Sequence, residues 1–275
     1  MKLDEAYDFS GKVAVVTGGS GVLCGRLALA LGEHGAAVAV LAHSRLAKAE
    51  ALVKQIEAAG GKGLALQADV LDKAALQAIA ERVTAELGPV DILVNGAGGT
   101  TKQATTSKEL SFFDLPEDAG RWVFDVNFFG TYLACQVFGR LMVERGSGAI
   151  LNIGSFGGVR PLTRSSTYSA AKAAITNFTQ WLAVHLGQEY CPNIRVNAIV
   201  PGFFLTDQNR FLLTDEQSGE LTERGQRIID HTPMARFGDA DDLVVPSLML
   251  LSDGAAFVQG TTLVVDGGIG AFGGV

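Results

Sequence analysis

Lys12-Val13-Ala14-Val15-Val16-Thr17 is an apolar run of strand length, and residues 18–25 follow it as a glycine-rich turn. Over residues 26–35, Leu and Ala recur at helical spacing, and residues 37–42 form a second apolar run. A strand, a tight glycine turn, a helix and a second strand in this order make a βαβ unit. The unit constrains everything after it. Its strands are parallel, its crossover is right-handed, and both faces of the sheet it starts need cover.

The same alternation continues to the end of the chain. Helical spacing predicts helices near 45–59, 73–87, 116–145 and 167–190, and apolar runs predict strands at 64–68, 91–95, 149–153, 194–199 and 263–265. With the first two, that makes seven strands, apolar on both faces and separated by helices. The expected class is α/β: a single domain over 1–275, built on a doubly wound parallel sheet of about seven strands with helices on both faces. There is no internal repeat and no linker. Two stretches, 96–115 and 201–239, break the rhythm. Both follow strands, so they are expected over the carboxyl edge of the sheet, where ligands bind in open α/β folds.

Composition narrows the partners. The chain has 275 residues, 48% of them hydrophobic, enough for one full core. A net charge of -7 argues against nucleic acid or an anionic membrane surface. No apolar run approaches the ~20 residues of a membrane helix. The start, Met1-Lys2-Leu3-Asp4-Glu5, lacks the apolar core of a secretory signal. Cys24, Cys135 and Cys191 are odd in number and widely separated, with neither a metal spacing nor a disulfide framework. A cytoplasmic protein without a metal is expected.

The turn Thr17-Gly18-Gly19-Ser20-Gly21-Val22-Leu23-Cys24-Gly25 has a physical use beyond reversing the chain. After the first strand of a βαβ unit it brings backbone N–H groups and a helix N-terminus to a pyrophosphate. The end of the second strand, Ala42-His43-Ser44-Arg45, is expected beside the adenosine ribose. An acid there binds the ribose hydroxyls and excludes a 2′-phosphate, and none is present. His43, Ser44 and Arg45 serve a phosphate equally well as they begin a solvated helix, so NADP is favoured slightly over NAD.

Further along, Ser155 ends the apolar run 149–153, and Tyr168 and Lys172 are four apart, on one face of the expected helix. A hydroxyl, a phenol and an ammonium at one strand edge form an acid-base set. Tyr168 and Lys172 alone would also suit an ordinary amphipathic face.

These segments together resemble the short-chain dehydrogenase/reductase family. The resemblance rests on the glycine turn, Asp69-Val70, Asn95-Gly96-Ala97-Gly98, Asn127, Ser155, Tyr168 with Lys172, Pro201-Gly202 with Thr206, and Val265-Asp266-Gly267-Gly268, in that order along nearly the whole chain. It implies a Rossmann fold, an NAD(P) cofactor and a homotetramer or homodimer, with the helices at 116–145 and 167–190 as the usual interface and the apolar tail 270–275 as a possible addition. By resemblance Tyr168 is the proton donor or acceptor, Ser155 hydrogen-bonds the reacting oxygen, and Lys172 holds the nicotinamide ribose and lowers the Tyr168 pKa. Asn127 anchors a proton-relaying water, although a satisfied core amide would serve the same sequence. Gly18, Ser20, Gly21, Val22 and Leu23 are implied for the pyrophosphate. Asp69 and Val70 are implied for the adenine, with Asp69 alternatively a helix cap and Asp72 the better one. Asn95, Gly96 and Ala97 are implied beside the cofactor, and Pro201, Gly202, Phe204 and Thr206 at the nicotinamide. The turn departs from the family pattern: Val22 and Cys24 stand at its two later glycine places.

The long 95–127 interval and the stretch Pro201-Gly202-Phe203-Phe204-Leu205-Thr206-Asp207-Gln208-Asn209-Arg210 resemble a bacterial subgroup assigned the interconversion of D-mannonate and D-fructuronate. A sugar acid needs a cation for its carboxylate and donors for its hydroxyls. Lys102, Gln103, Arg160, Arg164 and Asn209 are the expected substrate residues, with Gln208 and Arg210 beside them; Lys102 and Asn209 come first. Phe112, Phe113, Phe203 and Phe204 would equally line an apolar pocket for another polyol, sugar or acyl ketone. A cofactor-binding regulator without turnover is the reading from another class.

Overall fold

Short runs of Val, Ile, Leu and Ala buried on both sides assemble into one sheet. The computed structural model describes residues 2–206, 209–215 and 217–274. Its strands are β1 (Val13–Thr17), β2 (Ala37–Ala42), β3 (Lys62–Gln67), β4 (Ile92–Asn95), β5 (Gly148–Ile153), β6 (Ile194–Pro201) and β7 (Thr262–Val265). They form a seven-stranded sheet in the order β3-β2-β1-β4-β5-β6-β7, and every pairing is parallel. This is the doubly wound Rossmann-type single domain that the alternation predicts. The central strands are buried along their length, whereas the edge strands β3 and β7 are half open.

The period of two in each strand divides the core. Ala14, Val16, Val38, Val40, Val94 and Leu151 point to one face. That face is covered by α1 (Val22–Glu33), α2 (Leu46–Ala58) and, further on, Val244–Leu251, through Leu27, Leu31, Ile56 and Leu248. Val13, Val15, Ala39, Leu41, Leu93 and Ile150 point to the other. Here α3 (Lys73–Glu86) supplies Leu76 and Val83. The paired segments α4 (Glu117–Phe124) and α5 (Gly130–Arg145) supply Phe138 and Met142 through α5, and α6 (Ser166–Glu189) supplies Phe178 and Leu182. Each such side chain stabilises the fold by ~1.5–3 kcal/mol when fully buried.

The structure departs from the expected elements at four places. Helix α1 starts at Val22, inside the glycine turn, because Gly21 donates to the Gly18 carbonyl at 2.9 Å and closes the turn there. The expected continuous helix over 116–145 is interrupted by a π turn, Asp125–Phe129, between α4 and α5. The stretch 201–239 carries its own structure: a short turn Arg210–Leu213, a bridge from Thr214 to Leu221, and α7 (Glu223–Asp230). The last helix, α8 (Val244–Leu251), has Val244, Leu248, Leu250 and Leu251 buried, so it lacks the polar face that makes a helix legible. Among the described residues no helix is long and apolar enough to cross a membrane.

Candidate active site

Strand order reverses between β1 and β4, and the helices that follow these two strands go to opposite faces. A crevice opens at that point. The two strand ends approach closely. Thr17 Oγ1 accepts from the amides of Gly96 and Ala97, each at 3.1 Å. Gly18 has φ +66°, and a Cβ on it would lie 2.7 Å from the Gly96 carbonyl oxygen, so no larger residue fits. Gly21 then caps α1 without a side chain, and the first intrahelical bond is from Gly25 N to Gly21 O at 2.8 Å. The amides of Val22, Leu23 and Cys24 have no intrahelical partner. Gly18, Ser20, Gly21, Val22 and Leu23 all line the cavity formed here, and this uncapped helix start fits a pyrophosphate.

Cys24, at one of the family's glycine places, has a visible role in packing. Its Sγ fills the space a Cβ on Gly96 would need. Burial pushes its thiol up to about 11, with the Lys172 charge opposing, which keeps it a neutral packing group.

The cavity holds about 460 Å³, within the range of small-molecule sites. His43, Ser44 and Arg45 line it at the end of β2, and Asp69 and Val70 at the end of β3. Asp69 Oδ1 accepts from the Leu71 amide at 2.9 Å, whereas Asp72 is the cap of α3, accepting from Ala75 N at 3.0 Å. Gly96 and Ala97 line the cavity, as do Pro201, Gly202, Phe204 and Thr206. Asn95 does not. It is buried within the sheet, where its Nδ2 donates to Asn152 Oδ1 at 2.9 Å. A strand residue whose side chain points into the sheet layer cannot reach a ligand at the edge.

Ser155, Tyr168 and Lys172 share the same cavity. Ser155 follows β5, and its Oγ accepts from Gly157 N at 3.1 Å, leaving its own proton to donate elsewhere. Tyr168 and Lys172 lie one turn apart near the start of α6, with Lys172 Nζ 5.8 Å from the phenol ring centre. Lys172 is 5% exposed, and its ammonium donates to the Ile153 carbonyl at 2.8 Å. Burial lowers its pKa to about 8. The expected lowering of Tyr168 is reversed. Burial raises the phenol above its ordinary value, with a hydrogen bond to Ser155 opposing. Desolvation disfavours the charged form of each group, so it acts on the two in opposite directions.

Asn127 sits in the π turn, fully buried beside the cavity. Its Nδ2 donates to the carbonyls of Gly99 at 2.6 Å and Val123 at 2.8 Å, and its Oδ1 accepts from Gly99 N at 3.2 Å. The amide is satisfied by backbone and pins the loop after β4.

The expected substrate residues fare differently. Lys102, Gln103, Arg160 and Arg164 are exposed and do not line the cavity. Thr101 caps the turn Lys102–Ala104, which buries Ala104 and leaves Lys102 and Gln103 outside. The Arg164 carbonyl is held by Thr106 N at 2.9 Å, which ties the two loops together at their outer rim. Asn209 does line the cavity, but its amide folds the stretch 201–239, the lid over this edge: Oδ1 accepts from Thr206 N at 2.8 Å and Nδ2 donates to Phe204 O at 2.8 Å. Gln208 lies outside the described residues, and Arg210 is exposed outside the cavity. Phe112 and Phe113 are 62% and 92% exposed, whereas Phe203 and Phe204 are in the wall. Sequence reasoning missed Trp122, Leu162, Leu212, Leu213 and Arg224, which complete the cavity wall. One signal was available for Arg224: helical spacing over 223–230 sets it four residues before the buried Ile228.

Known proteins match the whole arrangement. The short chain dehydrogenase family model matches residues 12–217. The chain is 46% identical to the "Uncharacterized oxidoreductase UxuB" of Bacillus subtilis, over 98% of both chains. It is 33% identical to an L-rhamnose 1-dehydrogenase (NAD(P)(+)) of a Sphingomonas species, over 94% of this chain and 96% of that one. A solved structure from Haemophilus influenza, provisionally assigned as a D-mannonate oxidoreductase and containing bound NAD, superposes with a TM-score of 0.91. It is 37% identical, with 100% of both chains covered.

The contact between Cys24 and Gly96 yields a coupled prediction. Gly96→Ala places a methyl against Cys24 Sγ and is expected to cost about 1–3 kcal/mol of stability by overpacking. Cys24→Gly in the same chain should recover a large part of that loss. Additive effects in urea unfolding would contradict this packing.

Proposed function

Because the chain belongs to the short-chain dehydrogenase family and is an NAD(P)-dependent oxidoreductase of that family, we propose that it interconverts a secondary alcohol and a ketone on a sugar acid, with Tyr168 as the acid and base. The observation that carries this reading is the convergence of Ser155, Tyr168 and Lys172 on the cavity into which the uncapped start of α1 opens. When bound, the nicotinamide cofactor supplies or accepts the hydride. The chain's own residues manage the proton and the orientation.

In the reducing direction Tyr168 gives its hydroxyl proton to the carbonyl oxygen as hydride arrives at the carbon. Ser155, fixed by the Gly157 amide, directs its own O–H at the same oxygen. Lys172 holds the nicotinamide ribose and returns a proton towards Tyr168. Asn127 sits on the Lys172 side of the cavity: a Cβ on Gly98 would touch Asn127 Oδ1 and lie 3.6 Å from Lys172 Nζ. That proximity supports the reading of Asn127 as the anchor of a relaying water, beside its part in pinning the loop. Gly18, Ser20, Gly21, Val22 and Leu23 hold the pyrophosphate, Asp69 and Val70 the adenine, and Pro201, Gly202, Phe204 and Thr206 the nicotinamide end. With no carboxylate at the end of β2, and with His43, Ser44 and Arg45 lining the cavity there, NADP is favoured over NAD.

A sugar acid of the D-mannonate/D-fructuronate type is supported by the provisional assignment of the Haemophilus protein and by a sugar dehydrogenase among the relatives. The second reading, another polyol, sugar or acyl ketone, is favoured by one feature: Leu162, Phe203, Leu212 and Leu213 give the substrate end apolar walls. Assembly as a homodimer or homotetramer through α5 and α6 belongs to the same proposal. It is supported by the half-exposed Phe129, Trp181, Val184 and Tyr190 on and beside these helices.

A nicotinamide-absorbance screen of sugar acids and neutral polyols with both cofactors is expected to show turnover of a sugar acid, faster with NADP. Tyr168→Phe should lower that turnover by roughly 10²–10⁴-fold; turnover unchanged in this variant would remove the mechanism. The pH dependence follows from burial. The phenol is raised, so Tyr168 carries its proton through neutral pH and ketone reduction should be flat there. Lys172 loses its proton as pH rises through about 8, so reduction should decline above that point. Alcohol oxidation, which needs the phenolate, should instead be slow at neutral pH and gain with rising pH. A reduction rate that climbs steadily from pH 7 to 9 would contradict this. Light scattering is expected to give a dimer or tetramer, and a monomer would remove the assembly.

A further inference from the structure

Among the described residues the lid contributes one charged side chain to the cavity, Arg224, and none of them pairs with it. Arg224 is half-buried in the cavity wall beside Leu212 and Leu213. Among the described residues no hydrogen bond or ion pair engages it. Among the described residues, the charges that act on it are those of two further arginines, Arg164 and Arg227, and both oppose its own charge. Each of those has an acid to answer it: Glu223 pairs with Arg227 at 2.7 Å, and Glu109 feels the field of Arg164. Arg224 has none. A desolvated guanidinium without a carboxylate, next to like charges, is unfavourable in the free protein and becomes favourable when an anion arrives.

The lid also holds this side chain in a defined place. Thr222 caps α7, accepting from Gly225 N at 3.1 Å, and donates to Leu212 O at 2.8 Å. Gly225 packs so closely on the Leu213 carbonyl that a Cβ there would collide with it. The first turn of α7 is therefore bound to the segment Arg210–Leu213 that forms the cavity wall, and Arg224 rides on that joint. Its planar fork of donors matches a carboxylate in two-point contact, which a lysine at the same place would not reproduce.

We infer that Arg224 is the specificity-determining residue of this enzyme and takes the carboxylate of the substrate at the lid end of the cavity, while Tyr168 and Ser155 hold the reacting oxygen. This rests on the sugar-acid reading above and assigns its charge recognition to a residue of the lid, in place of Lys102, Gln103, Arg160 or the side chain of Asn209. Arg164 adds to the field at the rim without entering the cavity.

The test uses Arg224→Gln and Arg224→Lys in the full chain with saturating cofactor, and D-mannonate as the probe. For Arg224→Gln the KM is expected to rise about 10–100-fold with a much smaller change in kcat, as for the loss of one charge-assisted contact to a bound ligand. Arg224→Lys should recover part of the loss. Selectivity for D-mannonate over D-mannitol, which lacks the carboxylate, should fall by a similar factor. Calorimetric titration of D-mannonate gives the same comparison without turnover, and the melting temperature of the free variants should not fall, since no internal bond is removed. Binding or KM unchanged in Arg224→Gln, with the wild type active on D-mannonate, would overturn the inference and leave the sugar-acid reading standing. A wild type that neither binds nor oxidises any sugar acid but acts on neutral polyols or ketones would overturn both.

Discussion

The approach of two strand ends at the reversal of strand order governs the site. Thr17 Oγ1 takes both the Gly96 and Ala97 amides. Each bond contributes only about 1 kcal/mol net. Their consequence is geometric. They hold the ends of β1 and β4 together while the chain beyond them departs to opposite faces, and the crevice exists because of that divergence. Everything near the joint is small or exact in fit: Gly18 turns through the left-handed region, Gly96 leaves room for Cys24, and Gly21 starts α1 with its amides bare. The cofactor end is thus a product of backbone positions more than of side chains.

The catalytic end depends on a second, polar constraint beneath it. Asn95 Nδ2 donates to Asn152 Oδ1 at 2.9 Å, Asn152 Nδ2 donates to Thr179 Oγ1 at 2.9 Å, and Thr179 Oγ1 donates to the Ile175 carbonyl at 2.8 Å. The chain of bonds runs from β4 through β5 into α6. Apolar packing by Phe178 and Leu182 would hold α6 on the sheet but tolerate some sliding. A buried amide that loses its partner costs about 1–3 kcal/mol, so the polar chain specifies the position of the helix along its axis. Tyr168 and Lys172 are set against Ser155 by groups that never touch a ligand, Asn95 among them.

The sheet and its two covering layers were legible because strand and helix periods act locally, and the core divides by the same alternation. The backbone half of the site was legible for a related reason: a glycine turn after a first strand has few uses. The substrate end was not. Lys102 and Gln103 follow a strand that ends at the site, and Arg160 and Arg164 lie between Ser155 and Tyr168, yet all four point away. Which way a loop side chain faces is decided by contacts distant in sequence, such as Thr106 N to Arg164 O, and by caps such as Thr101. Arg224 is the reverse case, far in sequence from Ser155, Tyr168 and Lys172 and brought in by the packing of α7 on the segment Arg210–Leu213. The π turn at Asp125–Phe129 was hidden too, since an inserted residue leaves the apolar spacing of α4 and α5 nearly intact.

Burial sets the electrostatic character of this cavity. It is the leading cause that raises Tyr168 and lowers Lys172, so the phenol and the ammonium are both pushed towards their neutral forms; it also disfavours the charge of Arg224, which a guanidinium nonetheless keeps. For Tyr168 that favours the proton-bearing phenol, the form that ketone reduction uses. For the two cations, it means partial withdrawal from water with no carboxylate paired to either among the described residues. A ligand then acts on them in one of two ways. A neutral ketone excludes further water and supplies no counter-charge, which drives Lys172 further down from about 8. An anionic substrate excludes the same water and brings a counter-charge, which stabilises the Arg224 guanidinium and favours the charged form of Lys172. If Arg224 takes the substrate carboxylate as inferred above, an acidic substrate supplies the counter-charge that this guanidinium lacks among the described residues, and a neutral one of the same shape does not.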